Sequence, residues 1–294
     1  MKTNEFKTYH PIINFIYFVF VIVCTCVFMH PLYLAVSFLS AIVFLKVLGD
    51  RVFKKLLYMI FLGLFMALIN VLFNHQGVTV LFYLTNSNPV TIESLIYGGV
   101  AAVMIISVIF HFSCYSIIMT SDRFLYLFGK IAPSLSLIFS MTLHFVPQFK
   151  RQVEEAAKAR HVLEGKNKRG VKERIKEGAS LFSAAATHSF ENSADMALSL
   201  KARGYGRGKR SSFSNFKFDR RDLVMLIFLI CLGGYVLAGA IFGEIKFLYF
   251  PQISFENMTY YSWSILFCYA LFCFMPCMIE LWEVRKWKVL KSKI

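Results

Sequence analysis

The chain has 294 residues, of which 57% are hydrophobic and 17% charged, with a formal net charge of +15. That balance argues against an ordinary soluble domain and fits a helical membrane protein, so the bilayer is the first partner to consider. A positive excess of this size suits nucleic acid only where it gathers on one folded surface; here the basic residues lie mostly between apolar runs, and no nucleic-acid partner is expected.

The run from Ile12 to Met29 is long enough to span and no A-x-A-like cleavage site follows it, so it reads as a retained helix and not a signal peptide. Only His30 and Pro31 separate it from the run Leu32 to Val47, which predicts a tight helical hairpin. Leu56 to Phe73 and Leu95 to Met119 follow, then a long polar segment, then Leu223 to Phe242 and Tyr260 to Glu280. The expected fold is all-α and polytopic, with about six transmembrane helices, five being the alternative count. The seven cysteines all fall inside these apolar runs without CxxC spacing or an accompanying His cluster, as buried free thiols do, and no metal site is expected.

Charge sets the expected orientation. Lys2, Lys7, Lys46, Arg51, Lys54 and Lys55 flank one side of the first three spans, whereas Asn74 to Ile92 carries no Lys or Arg and is rich in loop residues. That loop is placed outside, with both termini and the long polar segment in the cytoplasm. A further apolar run, Ile131 to Phe149, is bracketed by Lys130, Lys150 and Arg151, and a crossing there would carry the basic region outside. It is expected to lie buried under or along the cytoplasmic face. The chain thus divides into N-terminal membrane helices over 1–122, a cytoplasmic domain over 123–221 between the fourth and fifth spans, and C-terminal membrane helices with a basic tail over 222–294.

Within the cytoplasmic domain, helical patterning predicts three helices: Pro147 to Leu163, with Pro147 at its start, Val171 to Thr187, and Glu191 to Ala202. Gly165 and Gly170 separate the first two, and Gly204, Gly206 and Gly208 stop the third. The first and third end alike, in Lys158-Ala159-Arg160-His161 and in Lys201-Ala202-Arg203-Gly204. A cation there complements the helix dipole, and Gly204 suits a left-handed cap, so each Arg taken alone reads as a helix-ending residue. Two such ends in one domain also read as guanidinium forks presented to carboxylates on a partner.

From about Met119 to Tyr205 the chain resembles the transmembrane T component of energy-coupling factor (ECF) transporters, the family that includes the cobalt-transporter permease. The resemblance is carried by Thr120-Ser121 before a short amphipathic helix, the Pro133 helix start, His144-Phe145-Val146-Pro147 and the two Ala-Arg motifs, of which Ala202-Arg203-Gly204 is the specific one. It implies coupling helices that cross beneath the membrane, with small residues such as Ala156, Ala157, Ala159, Ala194 and Ala197 permitting close approach. It implies two ABC ATPase subunits, identical or not, one engaged by Arg203 and the other by Arg160, with ATP bound on those partners and no cofactor here. It further implies a small membrane S component that binds a vitamin or transition-metal ion, in a bacterial or archaeal cell membrane. The first motif departs from the pattern, because His161 stands where the Gly belongs.

An enzyme would need a catalytic constellation, and the nearest decoy fails. Gly204-Tyr205-Gly206-Arg207-Gly208-Lys209-Arg210-Ser211 lacks the phosphate-loop spacing, places Arg210 at the Ser/Thr position and follows a helix instead of a strand. An ion-driven transporter would carry ionisable groups deep in its spans; here the main internal candidate is His111, read as bonding within the bundle or else lining a route. A conventional ABC permease would offer one short coupling loop. A basic scaffold binding anionic lipid or RNA through 166–176 and 207–221 would leave the repeated helix ends unexplained.

Overall fold

The computed structural model describes residues 5–49, 52–83, 89–129, 132–164, 170–207, 216–253 and 259–291. Its helices are α1 (Glu5–Thr8), α2 (Pro11–Val27), α3 (Pro31–Val47), α4 (Val52–Phe73), α5 (Ile92–Ile118), α6 (Ser121–Gly129), α7 (Pro133–Glu164), α8 (Val171–Ala202), α9 (Arg220–Ile241) and α10 (Tyr260–Lys291). The chain divides into two units, residues 1–124 with 216–294, and residues 125–215.

In the first unit, α5 packs on α2, α3 and α4, α3 also packs on α10, and α10 on α9. The starts of α2 and α3 share a device. His10-Pro11 and His30-Pro31 each put Pro at the first helical position, where its missing N–H and fixed φ are assets, while the preceding His Nδ1 accepts the N–H of Ile12 or Leu32 at 3.3 Å. The connection is as short as the sequence predicts, yet the two helices pack on their other neighbours more than on each other.

Among the described residues, four helices are long and apolar enough to cross a membrane: α5, α9, Lys55–Phe73 of α4 and Tyr260–Trp287 of α10. α2 and α3 are apolar but have 17 residues each, about 26 Å of helix, near the lower limit for a bilayer core. A count of six spans includes these two. The described chain is nearly all helical, as expected; the exception is the loop before α5, where β1 (Val80–Tyr83) pairs antiparallel with β2 (Pro89–Thr91). Val80-Leu81-Phe82-Tyr83 is a β-favouring run beside turn residues, and the neighbouring carboxylate of Glu93 accepts Thr79 Oγ1 (2.6 Å) and its backbone N–H (3.3 Å).

The core is aromatic: Phe6, Tyr17, Phe18, Tyr33, Phe44, Tyr269 and Phe272 are all buried. Several polar groups there find partners, although the Tyr269 hydroxyl and His111 Nδ1 are buried with none among the described residues. Tyr17 donates to the Cys273 carbonyl at 2.9 Å, and Thr25, Ser37 and His111 form a chain across α2, α3 and α5, with Oγ1–Oγ 2.7 Å and Oγ–Nε2 3.1 Å. His111 therefore bonds within the bundle, one of its two sequence readings, because an unpaired polar group in hydrocarbon is costly. Cys24, Cys114, Cys273 and Cys277 are buried free thiols, but Cys26 and Cys231 are exposed on the outward faces of their helices, which correct the expectation that all seven are buried.

Candidate functional site

The second unit is built mainly from α7 and α8, which pack on each other. Thirty-two residues give each a length of about 48 Å. The predicted helix start at Pro147 is corrected: α7 begins at Pro133 and runs through Pro147. Proline is favoured at a first helical position, as at Pro133; inside the helix Pro147 removes only the bond to the Leu143 carbonyl, and intact turns on both sides carry the helix across.

The expected break between Val171–Thr187 and Glu191–Ala202 is likewise absent, so the domain has two long helices beyond α6 where three were predicted. Its polar residues turn back onto the helix instead of capping a new one. Thr187 Oγ1 donates to the Ser183 carbonyl (3.1 Å), Ser189 Oγ to that of Ala185 (2.8 Å) and Ser193 Oγ to that of Phe190 (2.7 Å).

The half-buried positions form one stripe on each helix. On α7 they include Leu137, Met141, Phe145, Phe149, Val153 and Ala157, and on α8 Leu181, Ala185, Ser189, Met196 and Leu200. The near fourfold spacing is that of a packing face. Of the alanines named for a close crossing, Ala157 lies on this stripe, whereas Ala156, Ala159, Ala194 and Ala197 are exposed. Ala185 and Ala186, half-buried, escaped the sequence reading; their four-residue register with Leu181 and Ser189 is the signal that marks this face.

The second Arg motif terminates α8. Ala202 is its last helical residue, and Gly204 adopts φ +83°. The Gly204 N–H donates to the Lys201 carbonyl and the Tyr205 N–H to that of Leu200, both at 3.0 Å, the paired bonds of a Schellman motif. Gly206 is also left-handed, at φ +91°. Arg203 is held at the cap residue with its side chain exposed and with no ion pair among the described residues. Gly204→Val is expected to cost about 1–2 kcal/mol through left-handed strain and to fray the last turn, measurable as faster exchange of the Arg203 to Tyr205 amides.

The first motif sits differently. Ala159, Arg160 and His161 lie inside α7, which continues to Glu164. Without Gly the backbone has no inexpensive route to the left-handed region, so the helix runs on. The side chains of Arg160 and His161 lie outside the described residues, as do Gly165 and Gly208. The exposed Lys150–Glu154 ion pair and the contact of the His188 ring with Glu191, both at 3.9 Å, are weak local supports.

A scan of family profiles matches residues 5–214 to CbiQ, described as cobalt transport protein. The chain belongs to the CbiQ family. The match takes in α1 to α8 and ends before α9. No curated protein matches the chain at the significance required. CbiQ-family proteins are membrane transport components that work within multi-subunit complexes and are not themselves catalytic. This chain, with its long apolar helices, is such a membrane-embedded component.

Proposed function

We propose that this CbiQ-family chain is the energy-coupling subunit of an ECF-type ABC importer. The observation that carries the reading is Arg203: an exposed guanidinium fixed at the Schellman-capped end of a 32-residue helix, with no ion pair of its own among the described residues. A planar fork on a rigid rod suits a carboxylate-lined groove on a moving partner. Two ABC ATPases bind and hydrolyse ATP, Arg203 docks on one and Arg160 on the other, and α7 and α8 transmit their motion as levers.

Exposed apolar side chains on α7, among them Leu135, Ile138, Phe139, Leu143 and Val146, provide the surface for a small membrane S component. That component selects the cargo, a vitamin or transition-metal ion. Both termini and the second unit face the cytoplasm of a prokaryotic cell, in keeping with the basic residues between the spans.

The test is purification of the intact complex in mild detergent followed by mass spectrometry. Recovery of ABC ATPase subunits and one small hydrophobic protein with this chain is the expected result. Recovery of an ATPase pair with a second large permease and no small partner would support a conventional ABC permease instead, and recovery of no ATPase would overturn both.

A further inference from the structure

The chain passes from the first unit to the second after Phe124, within α6, and returns at Phe216, just before α9, and backbone and side-chain groups of the N-terminal segment bond to α9, α10 and α6. The Phe6 N–H donates to Glu280 Oε1 on α10 at 3.1 Å, and the His10 N–H to Asp222 Oδ1 on α9 at 3.3 Å. Asp222 Oδ2 also accepts the Asp219 N–H at 3.1 Å, closing the α9 N-terminus. Arg221 donates to Thr8 Oγ1 at 3.2 Å and stacks over Tyr9 with its guanidinium carbon 4.3 Å from the ring centre, while the His10 ring meets Phe218 edge-on at 5.2 Å.

One residue bridges the exit and the return. With the buried Asn14 amide oriented to satisfy both neighbours, its nitrogen donates to the Phe6 carbonyl and its oxygen accepts Arg123 Nη1, each at 3.1 Å. The same guanidinium lies over the ring of Phe216, 5.7 Å from its centre. Arg123 is in the first turn of α6, the last residue but one before the second unit, and Phe216 is the first residue after it. A half-buried guanidinium, short of water, thus gives one N–H to Asn14 on α2 and turns its face to the returning chain.

We infer that Arg123 is a positioning residue that fastens the outgoing and returning connections of the α7–α8 unit to α2 as a single joint, through Asn14 and Phe216. Held together, the two connections move as one, so that displacement arriving along either is delivered to the bundle and is not lost in independent slack. The functional half of this inference rests on the coupling role proposed above; the structural half does not.

The experiment has two arms. In the purified full chain in detergent, hydrogen exchange read by mass spectrometry is expected to show Arg123→Gln raising exchange about tenfold in residues 6–14 and 216–223, as loss of a cation–π contact and a charge-assisted bond should. Amides of residues 180–200 should be unchanged, Phe216→Ala should reproduce the effect, and Phe216→Tyr, which keeps an aromatic face, should not. Unaltered exchange in Arg123→Gln overturns the joint whatever partners the chain has. In the transporter reconstituted with its ATPases and membrane partner, Arg123→Gln should keep subunit retention and ATP hydrolysis while uptake per ATP falls about fivefold or more. Wild-type uptake per ATP in that variant overturns the positioning role. Failure of the wild-type chain to assemble with an ATPase overturns the coupling reading instead, and the exchange result then decides the joint alone.

Discussion

Arg203→Glu is expected to abolish ATP-driven uptake and to strip the ATPase subunits from the purified complex, while the variant chain still inserts in the membrane at wild-type abundance. The cap bonds at Gly204 and Tyr205 are made by backbone groups, so reversing the Arg203 charge leaves the Schellman motif intact. The helix itself loses only a favourable dipole interaction and gains an unfavourable one, each about 0.3–1 kcal/mol at an exposed site. Against the carboxylate-lined groove proposed for the ATPase, by contrast, a carboxylate would replace attraction with repulsion in a partly desolvated setting, where truncating one partner alone costs about 2–5 kcal/mol. Uptake in proteoliposomes and ATPase retention on an affinity column measure the two effects. Arg203→Lys should also be impaired, because a point charge does not reproduce a bidentate fork. Wild-type uptake by Arg203→Glu would remove the role assigned to this side chain.

Phe6→Ala is expected to be the most destabilising single change in the N-terminal segment, by about 3–5 kcal/mol. Phe6 is fully buried and meets Tyr17 at 5.4 Å, Phe44 at 6.0 Å and Phe18 at 6.5 Å between ring centres, all in edge-on geometry. It belongs to a helix of only four residues, which has no stability of its own and stays in place by this packing and by the Phe6 N–H bond to Glu280. Truncation therefore opens a cavity and also loosens the segment that carries Tyr9 and His10 against α9. Thermal unfolding of the detergent-solubilised chain should show a midpoint lowered by several degrees, with Phe6→Leu falling between wild type and Phe6→Ala. A midpoint unchanged in Phe6→Ala would mean that α1 contributes nothing to the bundle.

Local signals were read well from the chain. The Pro133 helix start and the left-handed turn at Gly204 each depend on one residue's backbone chemistry, which no distant contact has to supply; the same chemistry starts α2 at Pro11 and α3 at Pro31, where the sequence reading began the helices one residue later. The same local logic failed at Pro147 and at Thr187 to Glu191, because a proline or a cluster of Ser and Thr is compatible with a helix end and equally with a long helix that absorbs it. The loop before α5 was read from its turn residues, and the β-favouring run inside it was overlooked.

The sequence by itself determined that this is a helical membrane protein with an Arg-tipped polar segment between its apolar helices, and which family it resembles, since hydrophobic runs, charge placement and a short motif are properties of neighbouring residues. Only the tertiary structure decided that Phe6 bonds to Glu280, that His10 bonds to Asp222, and that Arg123 reaches both Asn14 and Phe216. These pairs are separated by as many as 274 positions, and no periodicity encodes which remote groups meet when buried polar atoms must find partners.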